Sequence, residues 1–163
     1  VVTASAAVEV AAAAVAARRI APPPPRLTTD RGDAPVVAAG VPIVLRATAP
    51  EDGHLACFWR FGDGTLVRLL PNAHAPDAAV AAGQTVEIPD RRMPFQIVPE
   101  TAGAEEQAVC LFGRAPVLPL LPAEFAGPDL APLPDPDVAR LVSRATGTEG
   151  ISAARLTVRV TPR

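Results

Sequence analysis

The sequence predicts a mainly β domain, an Ig-like β-sandwich of short antiparallel strands with one short accessory helix and a Pro-rich wrap. Three observations carry that expectation. Residues 54–61 read as a strand with Leu55, Cys57, Trp59 and Phe61 on one face, and apolar and polar residues alternate over 156–161, the period of a half-buried strand. Gly62-Asp63-Gly64 follows the first of these runs with residues that tolerate positive φ, as a tight hairpin requires. Glycine and proline punctuate much of the remaining chain and keep most apolar runs too short for ordinary helices.

Taken in order, residues 1–21 form an Ala-rich segment interrupted by Glu9, and helix and leading strand (Val8, Val10) are both open there. The segment does not read as a membrane span, because Glu9 sits inside it. It does not read as a signal peptide either, since Arg18 and Arg19 follow the apolar run instead of preceding it. Val1 opens the chain, so a processed product or a piece of a longer protein is expected. Pro22 to Pro25 must be extended, and residues 22–35 read as a Pro-rich linker ahead of a sandwich domain over 36–163.

Within that domain, 41–49 reads as a strand with Ile43 and Leu45 on one face. Residues 54–61 form the next, with Leu55, Cys57, Trp59 and Phe61 pointing one way and His54, Ala56, Phe58 and Arg60 the other. Residues 65–70 return from the hairpin, and 84–88, 95–98 and 107–112 are further short strands. Seven prolines fall between Pro116 and Pro136, so that stretch is expected to wrap the domain with little ladder bonding. Asp135-Pro136-Asp137 supplies a cap and an early proline for a helix over 136–145 that buries Val138, Leu141 and Val142. Leu156, Val158 and Val160 then alternate with polar residues in a closing strand.

Composition excludes some functions and weakens others. A net charge of −2 gives no global field toward nucleic acid or an anionic membrane, so neither nucleic-acid binding nor membrane insertion is expected. Aromatics at 4% with no tyrosine argue against a platform for stacking bases or sugars. All basic residues are arginine, which reflects genome composition more simply than function.

The candidate chemistry is sparse. Gly62 and Gly64 permit the hairpin, Pro71-Asn72 ends a strand with an Asn able to bond the backbone two residues on, and Gly83 starts a strand. Cys57 and Cys110 lie inside apolar strands, where burial as small free thiols is the commonest fate. A disulfide between them is the alternative if the domain is exported and their strands adjoin. Catalysis by a cysteine with His54 or His74 as base is the third reading, and strand spacing sets His54 on the face opposite Cys57. No catalytic set, metal-ligand spacing or phosphate loop occurs, so no cofactor and no metal is expected. Glu100 and Glu105-Glu106 near Arg91-Arg92 read as surface ion pairing, and Arg31-Gly32-Asp33 carries no weight as a motif.

The middle of the chain nevertheless resembles a bacterial family, the domain of unknown function 4384. The resemblance rests on "DGHLACFWRFGDGTLVRLLPN" at 52–72, "AVAAGQTVEIPD" at 79–90 and "GAEEQAVCLFGRAP" at 103–116. Its marks are Gly53, Gly64, Leu69-Leu70-Pro71-Asn72, Ala82-Gly83, Ile88-Pro89 and Gly103-x-Glu105, over roughly 36–118, with the tail from Ala139 to Pro162 also similar. His54 stands where relatives often carry Tyr, and Leu69 where Phe is frequent. The resemblance implies an accessory domain of multidomain bacterial proteins, attached to caspase-like peptidases, kinase-type modules or exported envelope proteins, without established catalysis.

The expectation is therefore a non-catalytic, protein-interaction module of a larger envelope or secreted assembly, engaging a protein partner through a sheet edge or the wrap. A periplasmic or extracellular site goes with it, the cytoplasm being the alternative. A module for glycan or a small ligand would need Trp59, Phe58, Phe61 or Phe95 on a concave surface, and alternation puts Trp59 in the core. A cysteine-dependent hydrolase is the remaining class.

Overall fold

The computed structural model describes residues 20–163. Its strands are β1 (Arg26–Thr29), β2 (Val36–Ala38), β3 (Leu45–Thr48), β4 (Gly53–Arg60), β5 (Leu66–Leu70), β6 (Ala79–Val80), β7 (Thr85–Ile88), β8 (Glu105–Gly113) and β9 (Ile151–Thr161). One helix, α1 (Val138–Thr146), precedes β9. A three-stranded sheet of order β1-β3-β7 faces a larger sheet of order β2-β9-β8-β4-β5, in which β6 pairs with β4.

Alternation explains the space between the sheets. Leu55, Cys57 and Trp59 of β4 and Ala108, Cys110 and Phe112 of β8 point toward Leu27, Leu45, Ala47 and Ile88 of the smaller sheet, forming one buried cluster. Each large side chain removed from water there contributes about 1.5–3 kcal/mol. The opposite faces of the same strands are also buried. Ala56, Phe58, Val109, Leu111 and Ile151 meet Val117, Leu121, Phe125 and Leu133 of the proline-rich stretch and Val138, Leu141 and Ala145 of α1. The molecule thus has three layers, and β4 and β8 are buried on both faces.

The β4–β5 hairpin forms where the sequence places it. Gly64 adopts φ +90, its N–H donates to the carbonyl of Phe61, and the Phe61 N–H returns a bond to Thr65. Pairing is in register from Arg60↔Leu66 to Phe58↔Arg68, then slips between Phe58 and Cys57, which faces Leu70. The slip leaves Leu69 as an extra residue in β5, a β-bulge that bends the strand into Pro71.

Several expectations need correction. Residues 22–35 are not a linker throughout: Arg26–Thr29 pair with β3, Leu27 and Thr29 are buried, and the Ser152 hydroxyl donates to the Pro23 carbonyl. Prolines read as a spacer because they lack N–H groups, yet an extended chain with free carbonyls also suits the flank of a sheet. Of the Ala-rich segment 1–21, all but Ile20 and Ala21 lies outside the described residues.

The strands are not all antiparallel, since β2 runs parallel to β9. Residues 95–98 do not form a strand; Pro94 and Pro99 bracket them and only an isolated bridge, Ile43↔Ile97, survives. The helix begins two residues later than expected. Asp137, not Asp135, is the N-cap, its carboxylate accepting from the Arg140 N–H, and Ala145 replaces Val142 in the buried stripe. The closing strand runs from Ile151 and lies inside the sheet between β2 and β8.

The wrap folds back on its own domain. The Leu130 N–H bonds the Arg68 carbonyl and the Leu133 N–H bonds the Leu66 carbonyl, so the stretch occupies the open edge of β5. Short 3-10 turns at Leu118–Leu120 and Ala123–Phe125 seat Phe125 in the outer core.

Candidate functional site

The β4–β8 pair organises the residues that could carry chemistry. Cys57 and Cys110 are directly opposed in the ladder, with Cα atoms 4.1 Å apart, and they form a disulfide. This corrects the reading of free buried thiols. Opposed residues in an antiparallel ladder bring their Cβ atoms within bridging distance, and the missing information was only which strands adjoin. Neither sulfur is available as a nucleophile in this state. His54 lies on the other face, where its Nδ1 is 3.1 Å from the Asp77 carbonyl, and His74 is exposed on the loop after β5.

Trp59, two residues beyond the disulfide on β4, and Glu106, four beyond it on β8, form a polar pair inside the core. The Trp59 indole N–H donates to Glu106 Oε1 at 2.8 Å, and the Gly62 N–H donates to Glu106 Oε2 at 3.1 Å. Glu106 is 1% exposed, which overturns its reading as a surface partner of Arg91-Arg92; Arg92 instead holds Asp90 at 2.7 Å. The signal was present in the sequence: Phe112, Cys110 and Ala108 alternate inward, and one further step along the same strand is Glu106.

Burial pushes the Glu106 carboxyl above the usual carboxylate range; the bonds from Trp59 and Gly62 oppose that, and the charges of Asp63 and Glu100 add to it. The carboxylate opens on a cleft of about 370 Å³ whose other walls are Phe61, Asp63, Gln96, Val98, Glu100 and Thr101.

The remaining signature residues sit at turns, strand ends and close backbone approaches. Gly53 starts β4 under Phe112, where a Cβ would stand 2.5 Å from the Gly113 carbonyl oxygen. Gly62 is pressed by Thr101 and Ala104, while Gly83 and Gly103 turn the chain at positive φ. Leu70-Pro71 and Ile88-Pro89 are cis peptides closing β5 and β7. Asn72 is buried; its amide donates to the Leu69 carbonyl at 2.9 Å, and its oxygen accepts from the N–H groups of His74 and Ala75. The expected Asx turn is therefore present, with a third bond that ties it to the bulge. Glu105 is exposed on the outer face.

Sequence reasoning missed Arg68. It is buried in β5, and its guanidinium donates to the Pro71 carbonyl at 2.9 Å and to the Gly127 carbonyl, fixing the wrap. An arginine in an apolar strand signals a buried acceptor, but not which loop supplies it.

Beyond the wrap and α1, the outer face of the large sheet is polar and open. Val36, Arg159 and Glu105 stand in one row, Thr157, Gln107 and Arg60 in the next, and Arg155 follows. Val36, Glu105, Arg155, Thr157 and Arg159 are exposed. No ion pair among the described residues engages Arg60, Arg155 or Arg159.

Among the described residues no group of three or more His, Cys, Asp or Glu is placed to hold a metal ion. No helix there is long and apolar enough to cross a membrane. Residues 36–116 match the family model of a domain of unknown function (DUF4384). No curated protein and no solved structure matches the chain.

Proposed function

Since this chain belongs to the DUF4384 family through residues 36–116, we propose that it is a non-catalytic interaction module of a larger bacterial envelope or secreted assembly. It docks a protein partner on the open face of β2, β9 and β8. The observation that carries the reading is the face itself, which exposes arginines, a glutamate, a threonine and Val36 in adjoining rows. An open polar sheet face suits another protein, whereas small ligands are taken by concave, largely apolar pockets. The wrap and the β5 edge are committed within the domain, which moves the expected contact away from both.

The disulfide supports an oxidising location, periplasmic or extracellular. The glycan reading has less support, because Trp59 and Phe58 are both 0% exposed. A collisional quencher of Trp59 emission checks this: strong quenching in the folded protein favours the ligand reading.

The direct test is affinity capture from the native extract, read by native mass spectrometry, with the wild type and an Arg155→Glu/Arg159→Glu variant side by side. A defined complex in the wild type that the variant loses is expected. A strictly monomeric wild type, or a complex indifferent to the two substitutions, sinks the proposal.

A further inference from the structure

A carboxylate buried without a cation is expensive, and Glu106 is such a group: among the described residues it forms no ion pair. The elements around it offer it little positive charge. Trp59 of β4 and Gly62 of the hairpin give one N–H each, β9 sets Val158 opposite it, the hairpin tip brings Asp63, and the segment before β8 brings Glu100. Three carboxyl groups thus surround one cleft. The contact they border is tight. A Cβ on Gly62 would lie 2.8 Å from Cβ of Thr101 and 2.9 Å from Cβ of Ala104, so the hairpin tip is seated directly on that corner.

We propose that this corner is a pH-responsive latch: with Glu106 ionised, its unpaired buried charge and the repulsion from Asp63 and Glu100 strain the seat of the hairpin tip on residues 101–104, and protonation in mild acid relieves both, outweighing the weakening of the Trp59 and Gly62 bonds. The linkage has a definite sign. Burial first, then Asp63 and Glu100, raise the folded carboxyl above the 4.5 of a free glutamate side chain. Between those two values the folded chain holds more protons than the unfolded one, so stability falls as pH rises through the window and is level above it. Asp63 is held low by its bonds from Thr65, so it is still charged while Glu106 takes up its proton.

Trp59 is the single tryptophan of the chain, so its emission reports on the indole bond directly. The experiment is a pH titration from 7.5 to 4 of Trp59 emission and of Tm, in the wild type, Glu106→Gln and Asp63→Asn/Glu100→Gln. In the wild type the emission should titrate above the ordinary glutamate range, and Tm should rise by a few degrees on acidification over that interval. Glu106→Gln should lose both responses. The double variant keeps the carboxylate and its bonds, and its midpoint should move down. It also decides the matter if Glu106→Gln does not fold. A wild-type Tm that is flat or falls on acidification, or a midpoint unmoved in the double variant, overturns the latch.

Discussion

The inner and outer cores of this molecule use the same two strands and are built by different rules. The inner core, between the sheets, is supplied by alternating positions of β1, β3, β4, β7, β8 and β9, and a covalent bridge joins its two central strands. The outer core is supplied by the other faces of β4 and β8 and by a proline-rich stretch with few regular hydrogen bonds. In the inner core, position follows from the ladder: once β4 faces β8, every second side chain is fixed. In the outer core, position follows from separate anchors, chiefly Phe125, Leu121, Leu133 and the Arg68 guanidinium. The contrast teaches that burial alone does not make two cores equivalent; what matters is whether the backbone carries the register.

The strongest way to break the comparison is to attack the bridge. Cys57 and Cys110 are separated by 53 residues, and a closed loop of about that length is worth about 4 kcal/mol by the chain-entropy estimate. Urea unfolding with and without a strong reductant should show a loss of this order, with both cores failing together. A reduced protein as stable as the oxidised one refutes the assigned role. A smaller effect is expected from Phe125→Ala, about 3 kcal/mol for an aromatic removed from a closed site. Limited proteolysis should then cut within 116–136 while the two pieces, one carrying β1 to β8 and the other β9, stay associated as a nicked sandwich. If cleavage falls equally in β3 or β7, the two cores are one cooperative unit. Smallest is Asp137→Ala, which removes the cap of α1 and should cost about 1 kcal/mol, seen as a modest drop in Tm.

The same contrast explains what could be read from the sequence. Strands β4 and β5, their hairpin and the inward set of Cys57 and Trp59 follow from period-two alternation and from Gly64. The helix follows from its acidic cap, misplaced by two residues because Asp135 and Asp137 offer the same chemistry around Pro136. Strand β1 was hidden by the prolines before it, and β2 and β6 are too short to show a period. The parallel pairing of β2 with β9 and the opposition of Cys57 to Cys110 are facts of strand order, which alternation does not encode. Glu106 was legible only by trusting the alternation of β8 over the charge of the side chain. The open arginine face followed from no motif, since it is assembled from β4, β8 and β9 across nearly a hundred residues of chain.

One consequence of the strand order concerns the nascent chain. Once the chain has emerged as far as residue 113, β4 and β8 can already align with Cys57 opposite Cys110. The seat between β2 and β8 stays vacant until 151–161 arrives. A translation intermediate therefore carries an unpaired flank of β8 for the time needed to make roughly forty more residues, a few seconds at ordinary elongation rates. Strands from neighbouring nascent chains compete for that flank during those seconds, which gives a chaperone arriving in the interval a defined surface to shield.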